Sequence, residues 1–370
     1  MKSSNILLSI VAAVIMTFGL STSSVQGGAG GTCASDINGD GRIDGADLAQ
    51  LLADWGQCPA VVPAWATLLE ATPNPAIVTD ANLRAAIMAS GFAWRVRDNA
   101  ANIEMVLVPA GTFMMGCSAS TAYTCHPYEN PTHQVTLTNA FYMGKTEVTQ
   151  AQWTAKMGSN PSSFSGYSDS PSRPVERVSW NMIASGSTSF MSLTGLRLPT
   201  EAEWEYAYRA GTTTAFHSYP AQPNGFNDDT LLGNIAWYNA NAGSQTHAVG
   251  GKFANALGLH DMAGNVWEWC QDWYGPYSSG SVTNPTGPTT GSYRLGRGGS
   301  WYHVSGSCRA SKRGFVTPGG IYGVIGFRVV RTPEFHLLLQ APQRSLLPFS
   351  IVYFSFLLFQ SLASAMVWWL

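Results

Sequence analysis

The chain has 370 residues, a formal net charge of −2, 45% apolar side chains and 11% charged ones. This length and apolar content suit one large core plus a small accessory module. The near-neutral charge provides no positive field for a polyanion, which excludes nucleic acid as a partner. Thirty-eight glycines, twenty prolines and thirteen tryptophans indicate a loop-rich fold whose core depends on aromatic side chains.

The amino-terminal residues have the pattern of an export signal. Lys2 precedes an apolar run from Ile6 to Leu20, and small polar residues follow. We interpret residues 1–27 as a signal peptide, which implies a periplasmic, extracellular or cell-surface protein. Cysteines pair in such oxidising compartments. The placement of the six cysteines suggests two local disulfides, Cys33 with Cys58 and Cys117 with Cys125.

Residues 33–58 form a predicted calcium-binding module, a loop followed by a short amphipathic helix. Its sequence DINGDGRIDGAD has the ligand spacing of an EF-hand. The predicted ligands are Asp36, Asn38, Asp40, the Arg42 carbonyl, Asp44 and Asp47. Aspartate at the last position resembles a dockerin repeat. Dockerins use two such loops and one is visible here, so calcium binding is predicted, whereas docking to a cohesin-like partner would need the second loop.

A linker with a docking helix is predicted over residues 59–102, since Pro59 to Pro75 is rich in proline and alanine and TDANLRAAIMA has helical spacing. Residues 103–331 mix strand patterns with helices that begin near Thr149 and Asn181, which predicts an α+β domain. Thr200 and Glu203 form a capping box that starts a further helix. Its acidic residues are interpreted as partners of arginines such as Arg197 and Arg209 rather than as catalysts.

Six motifs occur in order across this domain, namely VPAGTFMMG, KTEVTQAQW, RLPTEAEWEYA, GNVWEW, RGGSW and GFRVVR. With these motifs, residues 103–331 resemble the sulfatase-modifying-factor family, whose founding member is the formylglycine-generating enzyme. The resemblance implies a loop-rich, C-type-lectin-like arrangement of the α+β domain.

Glu268 lies between two tryptophans of GNVWEW and is expected to be buried. A buried carboxylate needs a metal ion, an arginine or a ring of amides. The resemblance implies two calcium sites. The first comprises Asp261, Gly264, Val266 and Glu268, and the second comprises Asn234, Ile235, Asn241 and Gly243. Asn241 replaces an acidic ligand of the family, which lowers the expected affinity of the second site.

The family's oxidase holds copper(I) between two cysteines that follow the glycine-glycine-serine motif, because copper(I) prefers sulfur. His303 occupies the first of these positions, and Cys308 matches the second only when counted forward from Ser300. The resemblance also implies a disulfide between Cys270 and Cys308, which would leave no thiolate. If Cys308 is free, His303 and Cys308 form a degenerate copper site. No catalytic residue is assigned, and Ser300 with His303 lacks the orienting carboxylate of a serine hydrolase.

Residues 332–370 are an apolar tail. Leu346 to Leu370 contains no charged residue and is long enough to cross a bilayer. A membrane anchor, a removable sorting signal and a translated frameshift all have this pattern, so contact with a membrane is expected through this tail alone.

The preferred hypothesis from these patterns is an exported, calcium-stabilised scaffold that binds a peptide, protein or glycan. The alternative is a formylglycine-generating oxidase, or a related metal-dependent oxidase with altered ligands, that acts on exported sulfatases and uses copper.

Overall fold

The computed structural model describes residues 60–117 and 123–333. The strands are β1 Ala66–Glu70, β2 Arg95–Asp98, β3 Ile103–Val108, β4 Gly111–Met115, β5 His133–Leu137, β6 Phe141–Gly144, β7 Ala236–Trp237, β8 Ala263–Gly264, β9 Trp267–Trp273, β10 Val282–Thr283, β11 Arg294–Arg297, β12 Arg313–Val316, β13 Ile325–Gly326 and β14 Val330–Arg331. The helices are α1 Ala81–Ala89, α2 Gln150–Met157, α3 Trp180–Ala184, α4 Phe190–Thr194 and α5 Glu201–Arg209. The predicted mixture of α and β structure is confirmed. The signal peptide, the calcium loop with Cys33 and Cys58, and the tail beyond Pro333 lie outside the described residues. Within the described ranges, no helix is both long and apolar enough to span a bilayer.

An antiparallel sheet of five strands, in the order β1-β2-β3-β6-β14, forms one side of the core. Its central strand β3 is almost wholly buried, which explains the apolar sequence of that strand. The edge strand β1 lies inside the segment predicted to be a linker. It pairs with β2, and the ring of the preceding Trp65 packs edge-on against Tyr142 at 5.5 Å. The folded unit therefore begins well before residue 103.

A second sheet, in the order β12-β11-β9-β13, brings three of the sequence motifs together. Strand β9 carries GNVWEW and lies between β11, which leads into RGGSW, and β13, which begins GFRVVR. Glu268 on β9 is opposite Arg297 on the antiparallel neighbour and Gly326 on the parallel one. The motifs are thus adjacent strands around one carboxylate.

Helices α2 and α5 begin where the sequence predicted. Both hydrogen bonds of the predicted capping box are present at the start of α5, between Thr200 and Glu203. Thr149 and Gln152 form a second such box at α2, and Asp80 caps α1. Each side-chain oxygen accepts from an amide of the first turn that has no partner within the helix.

Candidate functional site

Glu268 is fully buried and takes an arginine as its partner. Its two carboxylate oxygens accept hydrogen bonds from Nε and Nη2 of Arg328, each at 2.6 Å. The indole nitrogen of Trp204 donates a third bond at 2.6 Å. Of the three kinds of partner expected for this carboxylate, the structure contains a bidentate guanidinium, the geometry in which a buried ion pair is strongest.

The other residues of the first predicted calcium site surround this ion pair. Asp261 accepts from the Gly250 amide at 2.6 Å, and the Gly264 amide donates to the Gly298 carbonyl at 2.8 Å. The Val266 amide donates to Glu147 at 3.2 Å. Burial raises the pKa of Asp261 to about 6, and burial with the neighbouring carboxylates raises the pKa of Glu147 well above its usual value.

This arrangement does not favour a calcium ion. Both oxygens of Glu268 are already bonded to Arg328, and a cation would be repelled by that guanidinium. In residues 60–117 and 123–333, no three His, Cys, Asp or Glu side chains converge as a metal site. Calcium at Asp261, Gly264, Val266 and Glu268 stays a prediction.

The second predicted calcium site has its polar groups bonded to one another. Asn241 accepts from the Tyr238 amide at 2.9 Å and donates to the Ala236 carbonyl at 2.9 Å. Next to Asn234, the ammonium of Lys252 donates to the Gly233 carbonyl at 2.6 Å. A positive group thus lies beside the expected ligands, which does not favour a cation there.

The RGGSW loop folds over Cys308. Gly298 and Gly299 have φ values of +95° and +78°, which glycine adopts without strain. A Cβ atom added to Gly299 would lie 2.8 Å from the sulfur of Cys308. Arg297, the residue before Gly298, is buried and pairs with Glu205. This ion pair anchors the start of the loop.

The cysteines agree with the prediction in one pair and differ in another. Cys117 and Cys125 form a disulfide, as expected. Cys270 and Cys308 are both buried and free. The expected disulfide between them is therefore wrong. Cys270 lies on β9 with its sulfur against the Glu268 carbonyl at 3.9 Å, whereas Cys308 lies beneath Gly299. The two thiols are held against different neighbours.

In the metal-free protein, both free thiols favour the protonated form. Burial raises the pKa of Cys308 to about 12 and raises that of Cys270 well above its usual value, so both remain protonated at neutral pH. The thiolate is the metal ligand. The half-buried His303 accepts from the indole of Trp267 at 3.2 Å and shares a hydrogen bond with Ser300 at 2.7 Å, both at Nδ1. The proposed copper ligands therefore face different groups.

The Ser300 and His303 contact does not form a hydrolase site. Ser300 is fully buried, and its oxygen also accepts from the Tyr302 amide at 3.3 Å. Burial lowers the pKa of His303, and Lys312 lowers it further. Within the part of the chain that the structure describes, His303 has no carboxylate partner to orient it. The hydrogen bond instead closes the turn after RGGSW.

An exposed group of aromatic and apolar side chains, here called the aromatic surface, was not predicted from the sequence. It consists of the exposed Tyr167, Tyr302, Val304, Ile321 and Tyr322 together with the half-buried Phe164 and Trp301. Tyr302 is 65% exposed and Tyr322 is 53% exposed. Trp301 joins the segments, since its ring packs edge-on against Phe164 at 5.4 Å and its indole nitrogen donates to the Gly323 carbonyl at 2.8 Å. The only local signal was the run of aromatic residues after RGGS.

A buried acid lies close to this surface. Glu176 is fully buried, and its Oε1 accepts from the Phe164 amide at 3.1 Å. Its Oε2 has no hydrogen-bond partner within the described residues and lies 3.5 Å from the position that a Cβ on Gly323 would take. Burial raises the pKa of Glu176 to about 7, so this group titrates near neutrality.

Known proteins with similar sequences support the family resemblance that the six sequence motifs indicated. The chain is 31% identical over 281 residues to the chaperone protein LppX of Paenibacillus barcinonensis, covering 62% of this chain and 89% of that protein. It is 37% identical over 168 residues to the formylglycine-generating enzyme of Streptomyces coelicolor, covering 43% of this chain and 52% of the enzyme. The chain thus spans about half of that enzyme's length.

Among solved structures, Treponema denticola variable protein 1 is similar, with a TM-score of 0.54, 32% identity, and coverage of 62% of this chain and 95% of that one. Residues 93–333 match the family model of the sulfatase-modifying factor enzyme 1-like domain. This match includes all six motifs and the strands that meet at Glu268. The chain therefore belongs to the sulfatase-modifying factor enzyme 1-like family.

Proposed function

We propose that this protein is a binding module that holds a polypeptide segment on the aromatic surface, and that it is not a copper oxidase. The observation that carries the proposal is the exposure of Tyr302, Val304, Ile321 and Tyr322, which ranges from 50% to 65%. Exposed apolar groups gathered in one patch mark interaction sites. Tyrosine and tryptophan supply large, rigid contact areas at low conformational cost.

A polypeptide ligand has support from the relatives as well as from the surface chemistry. The similar protein LppX is named a chaperone, a role that requires contact with other polypeptides. The exposed apolar side chains of Val304 and Ile321 suit side chains of a peptide. The C-type-lectin-like arrangement expected for this family makes a glycan the second candidate, since flat aromatic rings also stack on sugars.

The state of the thiols argues against the oxidase. Oxidation through copper(I) needs an accessible thiolate pair, whereas Cys308 is buried with its pKa raised to about 12 and His303 occupies the other position. The oxidase is tested by incubating the purified protein with copper(I), air and a cysteine-bearing sulfatase peptide. Formation of an aldehyde on that peptide would contradict the proposal.

Binding is tested with a non-native polypeptide, reduced and carboxymethylated α-lactalbumin, on a biosensor surface that carries the full chain. We expect measurable binding of this probe and weaker binding of native α-lactalbumin. The double substitution Tyr302→Ser and Tyr322→Ser should weaken binding by at least about tenfold, because aromatic anchors dominate such contacts. Tyr293→Ser is the matched control, as Tyr293 is 42% exposed and lies outside the aromatic surface.

The same biosensor surface distinguishes the second candidate. Binding of soluble xylan or laminarin that is lost in the double variant, without binding of the unfolded protein, would replace the polypeptide by a glycan. Binding of neither probe, or equal loss in the Tyr293→Ser control, would count against the aromatic surface as a ligand site.

Calcium belongs to the proposal mainly through the amino-terminal loop. The ligand spacing from Asp36 to Asp47 supports one ion there. Elemental analysis after dialysis should find about one calcium per chain, lost in an Asp36→Ala and Asp40→Ala variant and retained in Asp261→Asn. A loss of calcium in Asp261→Asn would instead favour the site around Glu268. Capture of a cohesin-like partner by this loop stays a prediction.

Export is also part of the proposal. The disulfide between Cys117 and Cys125 supports an oxidising compartment. Mass analysis of the protein from the culture fluid or periplasm should find a mature chain that begins near residue 28. A chain that keeps Met1 and stays inside the cell would contradict it.

A further inference from the structure

A cavity of about 420 Å³ lies apart from the aromatic surface, between the segment before α1 and the loops around residues 218–223 and 252–260. Its apolar wall includes Ile77, Trp94, Tyr219 and Phe253. The rings of Tyr219 and Phe253 stack with their centroids 5.5 Å apart. The volume falls in the range of about 300–1,000 Å³ that is typical of small-molecule sites.

The charges that line this cavity are all positive. They belong to Arg95, Lys145 and Lys252, and no aspartate or glutamate of the described ranges lines it. Two carboxylates offset part of this charge, since Glu70 lies 2.5 Å from Arg95, and Glu104 lies 3.3 Å from Arg95 and 3.6 Å from Lys145. The ammonium of Lys252 instead donates to the Gly233 carbonyl at 2.6 Å and lies 3.8 Å from the centroid of the Trp237 ring. Positive charge therefore exceeds negative charge along the wall.

A second group in the wall lacks an acceptor. Trp94 is fully buried, and its indole N–H has no hydrogen-bond partner within residues 60–117 and 123–333. A buried donor without a partner costs on the order of 1–3 kcal/mol, so native structures leave few of them. The cavity itself combines ammonium groups with an apolar wall.

We propose that this cavity binds a small amphipathic anion, an apolar ring that carries one carboxylate or similar oxyanion. The ring would pack against Trp94, Tyr219 and Phe253. The anionic group would accept hydrogen bonds from Lys145 and Lys252. This site is distinct from the aromatic surface and does not depend on the function proposed there.

The test uses 2-naphthoate as the probe, with calorimetric titration of the full chain. Two companions of similar shape, 2-naphthalenemethanol and 2-naphthylmethylammonium, separate charge from shape. We expect 2-naphthoate to bind at least about tenfold more tightly than either companion, because a hydrogen bond to a charged group exceeds a neutral one by about that factor. Equal binding of the anion and the ammonium, or binding of none of the three, would overturn the proposal.

Substitutions of residues that line the cavity test whether 2-naphthoate binds there. Lys145→Met and Lys252→Met should each weaken 2-naphthoate by about three- to tenfold and leave 2-naphthalenemethanol unchanged, which also shows that the variants are folded. Ala76→Trp, at an exposed position of the rim, should remove binding of both compounds. Lys156→Met is the control, since Lys156 does not line the cavity. Unchanged 2-naphthoate affinity in both lysine variants would overturn the proposal.

Discussion

The free thiols of Cys270 and Cys308 are the residues on which the chemistry of this chain depends. Both are buried, and burial raises both pKa values, so neither should react with iodoacetamide in the native protein. After denaturation without a reductant, we expect both to be labelled, as read by peptide mass mapping. Cys117 and Cys125 should stay unlabelled as the internal control. A disulfide-linked peptide pair of Cys270 and Cys308 would contradict this.

Glu268 and Arg328 form an enclosed ion pair at the site, with both side chains fully buried. Glu268→Gln removes the carboxylate that pairs directly with the buried guanidinium, which should lower the free energy of unfolding by about 3–5 kcal/mol in urea titrations. Glu104→Gln is the matched control. The side chain of Glu104 is 32% exposed and pairs with arginines near solvent. The Glu104→Gln substitution should therefore lower the free energy of unfolding by less than about 1 kcal/mol. Similar losses in the two variants would argue against the pair.

Glu176 provides a test that depends on pH. Its pKa is raised from 4.5 to about 7 in the folded state because it is buried, so the folded chain keeps a proton that the unfolded chain has released. Between these values the folded state binds more protons, and the free energy of unfolding therefore decreases as pH rises. Glu176→Gln should flatten this part of the pH profile.

The size of the Glu176 effect follows from the same shift. One pKa unit corresponds to about 1.4 kcal/mol, so Glu176→Gln should be more stable than the parent by on the order of 1–3 kcal/mol at pH 8 and nearly equal to it at pH 4. Urea titrations at the two pH values measure the difference. A gain of the same size at both would mean that ionisation is not its cause.

At the scale of elements, helix α5 begins where local sequence alone indicated. Thr200→Ala removes the hydroxyl that accepts from the Glu203 amide at 3.1 Å, and the expected loss is about 1 kcal/mol in the free energy of unfolding. Thr72→Ala, at an exposed position outside any helix, is the control and should change stability by less than half as much. An unchanged free energy of unfolding in Thr200→Ala would mean that water replaces the Thr200 hydroxyl as the acceptor for the Glu203 amide.

The elements also show which predictions a sequence permits. Helix caps depend on residues three apart, so the starts of α2 and α5 were predictable. Strand β1 was mistaken for linker because its proline- and alanine-rich surroundings lack alternation, and its partner β2 comes 25 residues later, with Arg95 facing Glu70. The partner of Glu268 is 60 residues away in Arg328. The sequence therefore predicted that Glu268 is buried and named three kinds of partner, but it did not show which of the three is present.

Candidate sites depend even more on tertiary structure. The aromatic surface joins residues near 164, 302 and 322, and no spacing rule connects them. The expected Cys270 and Cys308 bond failed for the same reason, since neither a family resemblance nor an even count of cysteines reports where β9 and the loop under Gly299 direct their sulfurs. The disulfide of Cys117 and Cys125 was predictable because the two residues are eight apart in sequence.

At the scale of the whole molecule, arginines near the end of the domain sequence pair with carboxylates near its beginning. These ion pairs hold the two ends of the domain together. Arg309 binds Glu129 with two hydrogen bonds of 2.8 Å, and Arg331 on the last strand binds Asp98 at 2.9 Å. These contacts span 180 and 233 residues of sequence. The contact of Arg331 with Asp98 joins the strands before residue 103 to those after residue 325.

This closure predicts where the domain can be cut. A fragment of residues 60–333 keeps β1, α1 and β2 and should unfold cooperatively, with a midpoint close to that of the full chain. A fragment of residues 103–333 loses Ile87, Trp94 and Val96, all fully buried. Each such side chain contributes about 1.5–3 kcal/mol, and a whole domain has only about 5–15 kcal/mol. The shorter fragment should therefore lack a cooperative transition in circular dichroism. A folded fragment of residues 103–333 would show instead that the first two strands are an addition to a self-sufficient core.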